Sequence, residues 1–290
     1  MTTLFSFLKI KLNLKGDVLF MKKYSKDERI KLDKFYTNEE IAYNLIKEYI
    51  KEKKYDNLFI EPSAGNGALL RVMDKLNLKY KAFDLYPEGE NITKQDFLEF
   101  NISDYTDEKN IITFMNPPFG FSCNLAIKFF NKASEFSKEI WLIAPKTFKK
   151  DSVKNKLNSY FKMVYYVDMP KNSFLLDGQP YDVPCCLSIW IKTEEKQVYN
   201  IRKDSDLFMF TNKENADFAI RRVGGKSGQL LDGLNHSVSS TYFIKILKEY
   251  EKVYQAFKSI DLNIVNDTVG VRSISKSELI KLVEEKYNLL

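Results

Sequence analysis

Leu58-Phe59-Ile60-Glu61-Pro62-Ser63-Ala64-Gly65-Asn66-Gly67-Ala68-Leu69-Leu70 decides how the rest of this 290-residue chain is read. The apolar triplet suits a short strand, the glycines a turn of close backbone approach, and Ala68 onward the start of a helix. Strand, glycine loop and helix form the first half of a nucleotide-binding βαβ unit. Gly65-x-Gly67 lacks the third glycine of the dinucleotide fingerprint, so a nicotinamide cofactor is not expected. On the N-terminal side, Thr37 and Glu40 make a capping box ahead of Ile41, Leu45, Ile46, Tyr49 and Ile50, which predicts a helix from about Asn38 to Lys51. On the C-terminal side, Lys79–Asp84 reads as a second strand ending in an acid, about where such folds place a carboxylate for ribose hydroxyls. A turn cap explains Asp84 as well. Gln95-Asp96-Phe97-Leu98 adds an acid-aromatic pair whose Phe97 is by default a core residue.

Ile111-Ile112-Thr113-Phe114-Met115 is the next buried strand, and Asn116-Pro117-Pro118-Phe119 follows it. The tetrapeptide therefore begins at a strand's carboxyl end, where open α/β sheets place their ligands. Two consecutive prolines fix their own φ and restrict the residue before each, so the loop presents the Asn amide and the Pro117 carbonyl in a set direction. Two acceptors beside an aromatic face suit a planar group bearing an exocyclic amine. Taken alone, the tetrapeptide is also a proline-stiffened turn.

Composition bounds the chemistry. Forty-five Lys and Arg against 39 Asp and Glu give a formal charge of +6, which permits a polyanionic partner without requiring one. Cys123, Cys185 and Cys186 have neither metal-ligand spacing nor the even count of a disulfide framework, and His236 is the only histidine. Zinc chemistry and His-dependent triads are thereby disfavoured, no metal is expected, and a reducing, cytoplasmic compartment is. Pro184-Cys185 is similar to the proline-cysteine nucleophile of cytosine-5 methyltransferases, but it lies in the apolar run Val183–Ile191, where a buried strand thiol is the simpler reading. No stretch has the ~18 apolar residues of a membrane span, and the first twenty residues lack the pattern of a signal peptide. Residues 1–22 read as an N-terminal extension, either untranslated, with Met21 as the start, or disordered.

Leu125–Phe136 has helical periodicity and Ile140–Ala144 is a further strand. Ala144 to Lys162 carries six lysines against one aspartate; a helix there would aim Lys146, Lys149 and Lys150 at phosphates or at solvent. Met163–Val167 and Val183–Ile191 are two more strands, joined by Pro170–Asp182 with Phe174 and Tyr181. Beyond Glu195 come strand-like runs at Gln197–Ile201, Leu207–Thr211 and Phe218–Val223. Arg221-Arg222-Val223-Gly224-Gly225-Lys226-Ser227-Gly228 suits either a phosphate or an exposed hairpin connection. A helix is expected near Leu247–Ile260, and Ser275-x-x-Glu278 caps another through Tyr287. The expected organisation is an α/β domain over residues 23–195 and a small α+β region over residues 196–290.

The order of these motifs resembles the class I S-adenosylmethionine-dependent methyltransferases, and among them the enzymes that make N6-methyladenine, in the gamma arrangement. The resemblance covers roughly Phe35 to Lys192. It implies a Rossmann-like sheet with helices on both faces and S-adenosylmethionine as cofactor. Phe35, Tyr36 and Thr37 would border the cofactor's methionine part, and Glu61, Pro62, Ala64, Gly65 and Gly67 would wrap it. Asp84 would accept the ribose hydroxyls; Asp96 and Phe97 would bond and stack on the cofactor's adenine. Asn116 and Pro117 would accept the hydrogens of the target amine, with Pro118 stiffening the turn and Phe119 stacking on the base. Phe174, then Tyr181, would close over that base, and Lys146, Lys149, Lys150, Arg221, Arg222 and Lys226 would meet the nucleic acid. The substrate expected is adenine in nucleic acid, DNA ahead of RNA or the capped end of messenger RNA. Alternatives are a protein-glutamine methyltransferase, whose relatives more often carry Asn-Pro-Pro-Tyr, and an inert binding subunit.

Overall fold

A computed structural model describes residues 35–51, 55–199, 203–260 and 272–290. The expected N-terminal extension and the charged run before Phe35 lie outside the described residues.

The central element is a seven-stranded sheet. Its strands are β2 (Leu58–Glu61), β3 (Lys79–Asp84), β4 (Ile92–Lys94), β5 (Ile111–Met115), β6 (Glu139–Pro145), β7 (Phe161–Asp168) and β10 (Cys185–Lys192), in the order β4-β3-β2-β5-β6-β10-β7. Neighbours from β4 through β6 pair in parallel, whereas β10 runs antiparallel to both β6 and β7. β2 and β5 are buried at every position, as strands covered on both faces must be, which is why they read as runs that are apolar but for Glu61 and Thr113. The chain winds outward from β2 in one direction through β3 and β4, then returns to wind the other way from β5. The switch point therefore lies between β2 and β5, and a crevice opens beyond their carboxyl ends. This is a Rossmann-like, doubly wound sheet with its reversed strand next to the edge.

Three helices pack on it: α1 (Glu39–Ile50), α2 (Ala68–Lys75) and α3 (Asn124–Ala133). The core centres on Trp141 of β6, fully buried, with Phe59, Phe114 and Tyr55 edge-on at centroid distances of 5.1, 5.8 and 5.2 Å. Cys185 and Cys186 are buried in β10 as free thiols, and burial pushes the Cys185 thiol well up, so neither is a poised nucleophile.

Four expectations change. Asn38, not Thr37, caps α1: its side chain accepts from the backbone of Glu40 and Ile41. Thr37 instead belongs to a short strand, β1 (Tyr36–Thr37), which pairs with β8 (Phe174–Leu176). The connection expected over Pro170–Asp182 is a hairpin of β8 and β9 (Gln179–Tyr181), turning at Asp177 and Gly178, both at positive φ. The lysine-bearing helix expected after β6 is only a 3-10 turn over Lys146–Lys149 and a one-turn helix α4 (Asp151–Lys154), because Phe148 and Leu157 are the only buried side chains with which that stretch can anchor a longer one. The expected strand at Gln197–Ile201 is absent from its described part, residues 197–199.

The C-terminal region has its own core. β11 (Phe208–Thr211), β12 (Phe218–Arg221), β13 (Leu230–Leu231) and β14 (Thr241–Ile246) form an antiparallel sheet in the order β11-β14-β12-β13. α5 (Tyr250–Lys258) and α6 (Lys276–Tyr287) join it in a cluster that includes Phe208, Ile244, Phe257 and Leu279. The Ser275 and Glu278 capping box opens α6 as its spacing requires. No helix among the described residues is long and apolar enough to cross a membrane.

Candidate active site

The crevice at the switch point is built from two loops that meet. Glu61, the last residue of β2, turns inward and is completely buried. Its Oε1 accepts from the Ser63 backbone N–H at 2.9 Å and lies 3.0 Å from Ser63 Oγ, whereas the buried Oε2 has no hydrogen-bond partner among the described residues. Burial pushes this carboxyl up to about 8, and the neighbouring Asp84 charge adds to the shift, against the lowering effect of the two Ser63 bonds. Ser63 Oγ also lies 3.3 Å from the Asn116 carbonyl, which ties the glycine loop to the loop after β5.

The glycines are needed here for shape. Gly65 sits at φ +52°, where an added Cβ would touch the Tyr36 ring at 3.4 Å, and Gly67 sits at φ +80° at the start of α2. Asn66 Oδ1 accepts from the Ala68 N–H at 3.2 Å, which satisfies the first free N–H of that helix. Asp84, at the end of β3, holds the loop from the other side: its Oδ2 accepts from Gly65 N–H at 2.8 Å and its Oδ1 from Tyr86 N–H at 2.7 Å. Each carboxylate oxygen keeps a second lone pair for a ligand. Tyr36 closes the rim, its hydroxyl donating to Glu88.

After β5, the Asn116 side chain is oriented by β1. Its Nδ2 donates to the Phe35 carbonyl at 3.1 Å and to Thr37 Oγ1 at 3.1 Å. Because the Phe35 carbonyl can only accept, this fixes which end of the amide is nitrogen. Oδ1 consequently faces away from β1, and among the described residues no side chain or backbone group donates to it.

The aromatic residues fall differently from expectation. Phe97 is buried among Phe100 and Phe129, at 5.5 and 5.1 Å between centroids, while Asp96 Oδ1 accepts from the Leu98 N–H at 2.9 Å. Phe119 is 6 % exposed and Phe174 is fully buried, so neither presents a wide face to the crevice in this state. Tyr181 is half-buried and stacks on Phe35 with centroids 5.3 Å apart and planes 6° from parallel. That pair adjoins Asn116, since Phe35 supplies the carbonyl that anchors its amide.

The expected cations are mostly engaged. Lys146 pairs with Asp168 at 2.7 Å, and Lys150 pairs with Glu278 of α6 at 2.9 Å, which links the two cores. Lys149 is exposed and lies over the Tyr166 ring at 4.9 Å. The two ion pairs depend on partners far away in sequence, so the lysine run did not reveal them. Arg221, Arg222 and Lys226 belong to the C-terminal sheet, around the β12–β13 connection; Arg221 donates to Ser240 and Arg222 lies over Tyr242. Ser63 and Glu88 are site residues that the sequence reading passed over. Ser63 sits inside the glycine loop and was findable there, whereas nothing local marks Glu88 as the partner of Tyr36.

Residues 68–209 match the EDM2 methyltransferase-like domain family. Over 176 residues the chain is 25% identical to Protein ENHANCED DOWNY MILDEW 2 of Arabidopsis thaliana, covering 53% of this chain and 13% of that protein. Similar solved structures include a modification subunit of a candidate type I restriction enzyme from Vibrio vulnificus YJ016, with a TM-score of 0.41, 15% identity, and coverage of 55% of this chain and 44% of that one. Another is the T. thermophilus 16S rRNA N2 G1207 methyltransferase in complex with AdoMet and guanosine, with a TM-score of 0.36, 14% identity, and coverage of 54% and 43%.

Proposed function

We propose that this chain transfers a methyl group from S-adenosylmethionine to the exocyclic N6 amine of adenine in nucleic acid, with DNA ahead of RNA as the substrate. The observation that carries the reading is the Asn116 amide, held by Phe35 and Thr37 so that Oδ1 is left to accept at the carboxyl end of β5. The crevice suits the cofactor. An ammonium group would give the buried, unpartnered Glu61 Oε2 the donor it lacks, the Gly65 and Gly67 turns allow close backbone approach, and Asp84 retains lone pairs for ribose hydroxyls. The cofactor supplies an activated methyl on a sulfonium; everything else is positioning by the chain.

An adenine amine is a weak nucleophile because its lone pair is conjugated into the ring. Asn116 Oδ1 and the Pro117 carbonyl, accepting its two hydrogens, favour a tetrahedral nitrogen and turn the lone pair outward. Positioning of this kind supplies up to ~7–11 kcal/mol in favourable cases, without a covalent intermediate or a side-chain base. A base inside a duplex must first be extruded at a cost of a few kcal/mol. The Phe35 and Tyr181 pair offers it an aromatic neighbour beside Asn116. Of Lys146, Lys149 and Lys150, exposed Lys149 is the one left for a flanking phosphate, because the other two are already paired. The test is transfer of labelled methyl to pooled DNA, RNA and protein. Label in nucleic acid is the expected result; label only in protein would overturn the proposal.

A further inference from the structure

Thr37 is 3 % exposed, yet its hydroxyl faces the loop after β5 and not a helix end. The backbone around it is fixed on both sides. Thr37 pairs with Phe174 of β8, and the next residue, Asn38, donates its N–H to the Ser173 carbonyl at 2.8 Å. From that fixed point Oγ1 receives one N–H of the Asn116 amide at 3.1 Å, while the Phe35 carbonyl, two residues earlier, receives the other at 3.1 Å. One anchor would let the amide swing about its last torsion; two anchors set its plane. The direction of Oδ1 is therefore decided by a hydroxyl that need not touch substrate.

We infer that Thr37 is a positioning residue, fixing the Asn116 amide plane so that Oδ1 points at the acceptor amine. The inference rests on the proposed role of Asn116, and it moves Thr37 from the cofactor's border, where the motif resemblance put it, to support of the amine clamp. Valine keeps the shape of threonine and the strand preference but offers no acceptor, leaving one N–H of the half-buried Asn116 amide without its partner.

The test compares wild type, Thr37→Val, Thr37→Ser and Asn116→Ala. Asparagine-selective nitrogen-15 labelling, with no cofactor present, identifies the Asn116 side-chain amide by its disappearance in Asn116→Ala. In Thr37→Val one of its two protons should lose its hydrogen-bonded shift and exchange faster with water, and Thr37→Ser should restore both. In turnover, on whichever acceptor wild type methylates, Thr37→Val should lower kcat by about tenfold to a hundredfold, with KM for both substrates changed by less than about twofold. Serine should recover most of it. An unaltered amide signal in Thr37→Val would overturn the inference. So would equal losses with valine and serine, or a raised cofactor KM at unchanged kcat. If wild type methylates protein or nothing at all, the adenine reading falls while the amide signals still decide the role of Thr37.

Discussion

Glu61→Gln probes the construction of the glycine loop. The wild-type carboxyl is completely buried, and its titration is raised from 4.5 to about 8, chiefly by burial. Between those values the folded chain keeps a proton that the unfolded chain has released. The contribution to stability is thus complete below about pH 4.5 and is lost as pH rises through about 8. At about 1.4 kcal/mol per pH unit, the interval from 4.5 to about 8 sets a ceiling near 5 kcal/mol. Glutamine stays neutral throughout, so the stability of the variant relative to wild type should climb across that interval and level off above it. Urea unfolding followed by tryptophan fluorescence reads this cleanly, because both tryptophans, Trp141 and Trp190, are buried in the first core. Cofactor binding should show the reverse linkage. A cationic group at Oε2 favours the ionised carboxyl, so wild-type affinity for S-adenosylmethionine should strengthen as pH rises toward 8, and Glu61→Gln should lose both the affinity and the slope. A stability difference that does not vary with pH would refute the buried, proton-holding state of Glu61.

Asn116→Ala should reduce turnover below detection while leaving cofactor affinity nearly intact, as paired kinetics and calorimetry would show; equal loss of both would place the motif in the cofactor site. Phe97→Ala should destabilise the fold by about 3–5 kcal/mol in urea titrations, since the ring fills the core between Phe100 and Phe129. A loss below about 1 kcal/mol with a large drop in cofactor affinity would instead make it a stacking platform.

Much of this architecture is written locally. β3 occupies Lys79–Asp84 as its pattern predicts, Ile111–Met115 is a buried strand, and the Gly65 and Gly67 turn opens α2. Each depends on short-range periodicity or backbone freedom. The hairpin of β8 and β9 was signalled only by Asp177-Gly178, a dipeptide suited to positive φ that a connection rich in turn residues conceals. The role of Thr37 had no local signature, because Thr-x-x-Glu is a sound helix cap and only the fold brings residue 116 to it. The same holds for Lys146 and Lys150, whose charges are cancelled by Asp168 and Glu278. Phe97 shows the converse: the motif resemblance made it a cofactor platform, whereas its default reading as a core aromatic is the one its burial among other rings matches.

The central claim is that the amine held by Asn116 belongs to adenine. It is tested most directly by incubating the protein with S-adenosylmethionine carrying a deuterated methyl group and with DNA, RNA and protein acceptors, then digesting each and weighing the products. The account predicts the heavy methyl on N6 of adenine nucleosides, absent with Asn116→Ala. Heavy methyl on glutamine, or on a base other than adenine, would contradict it.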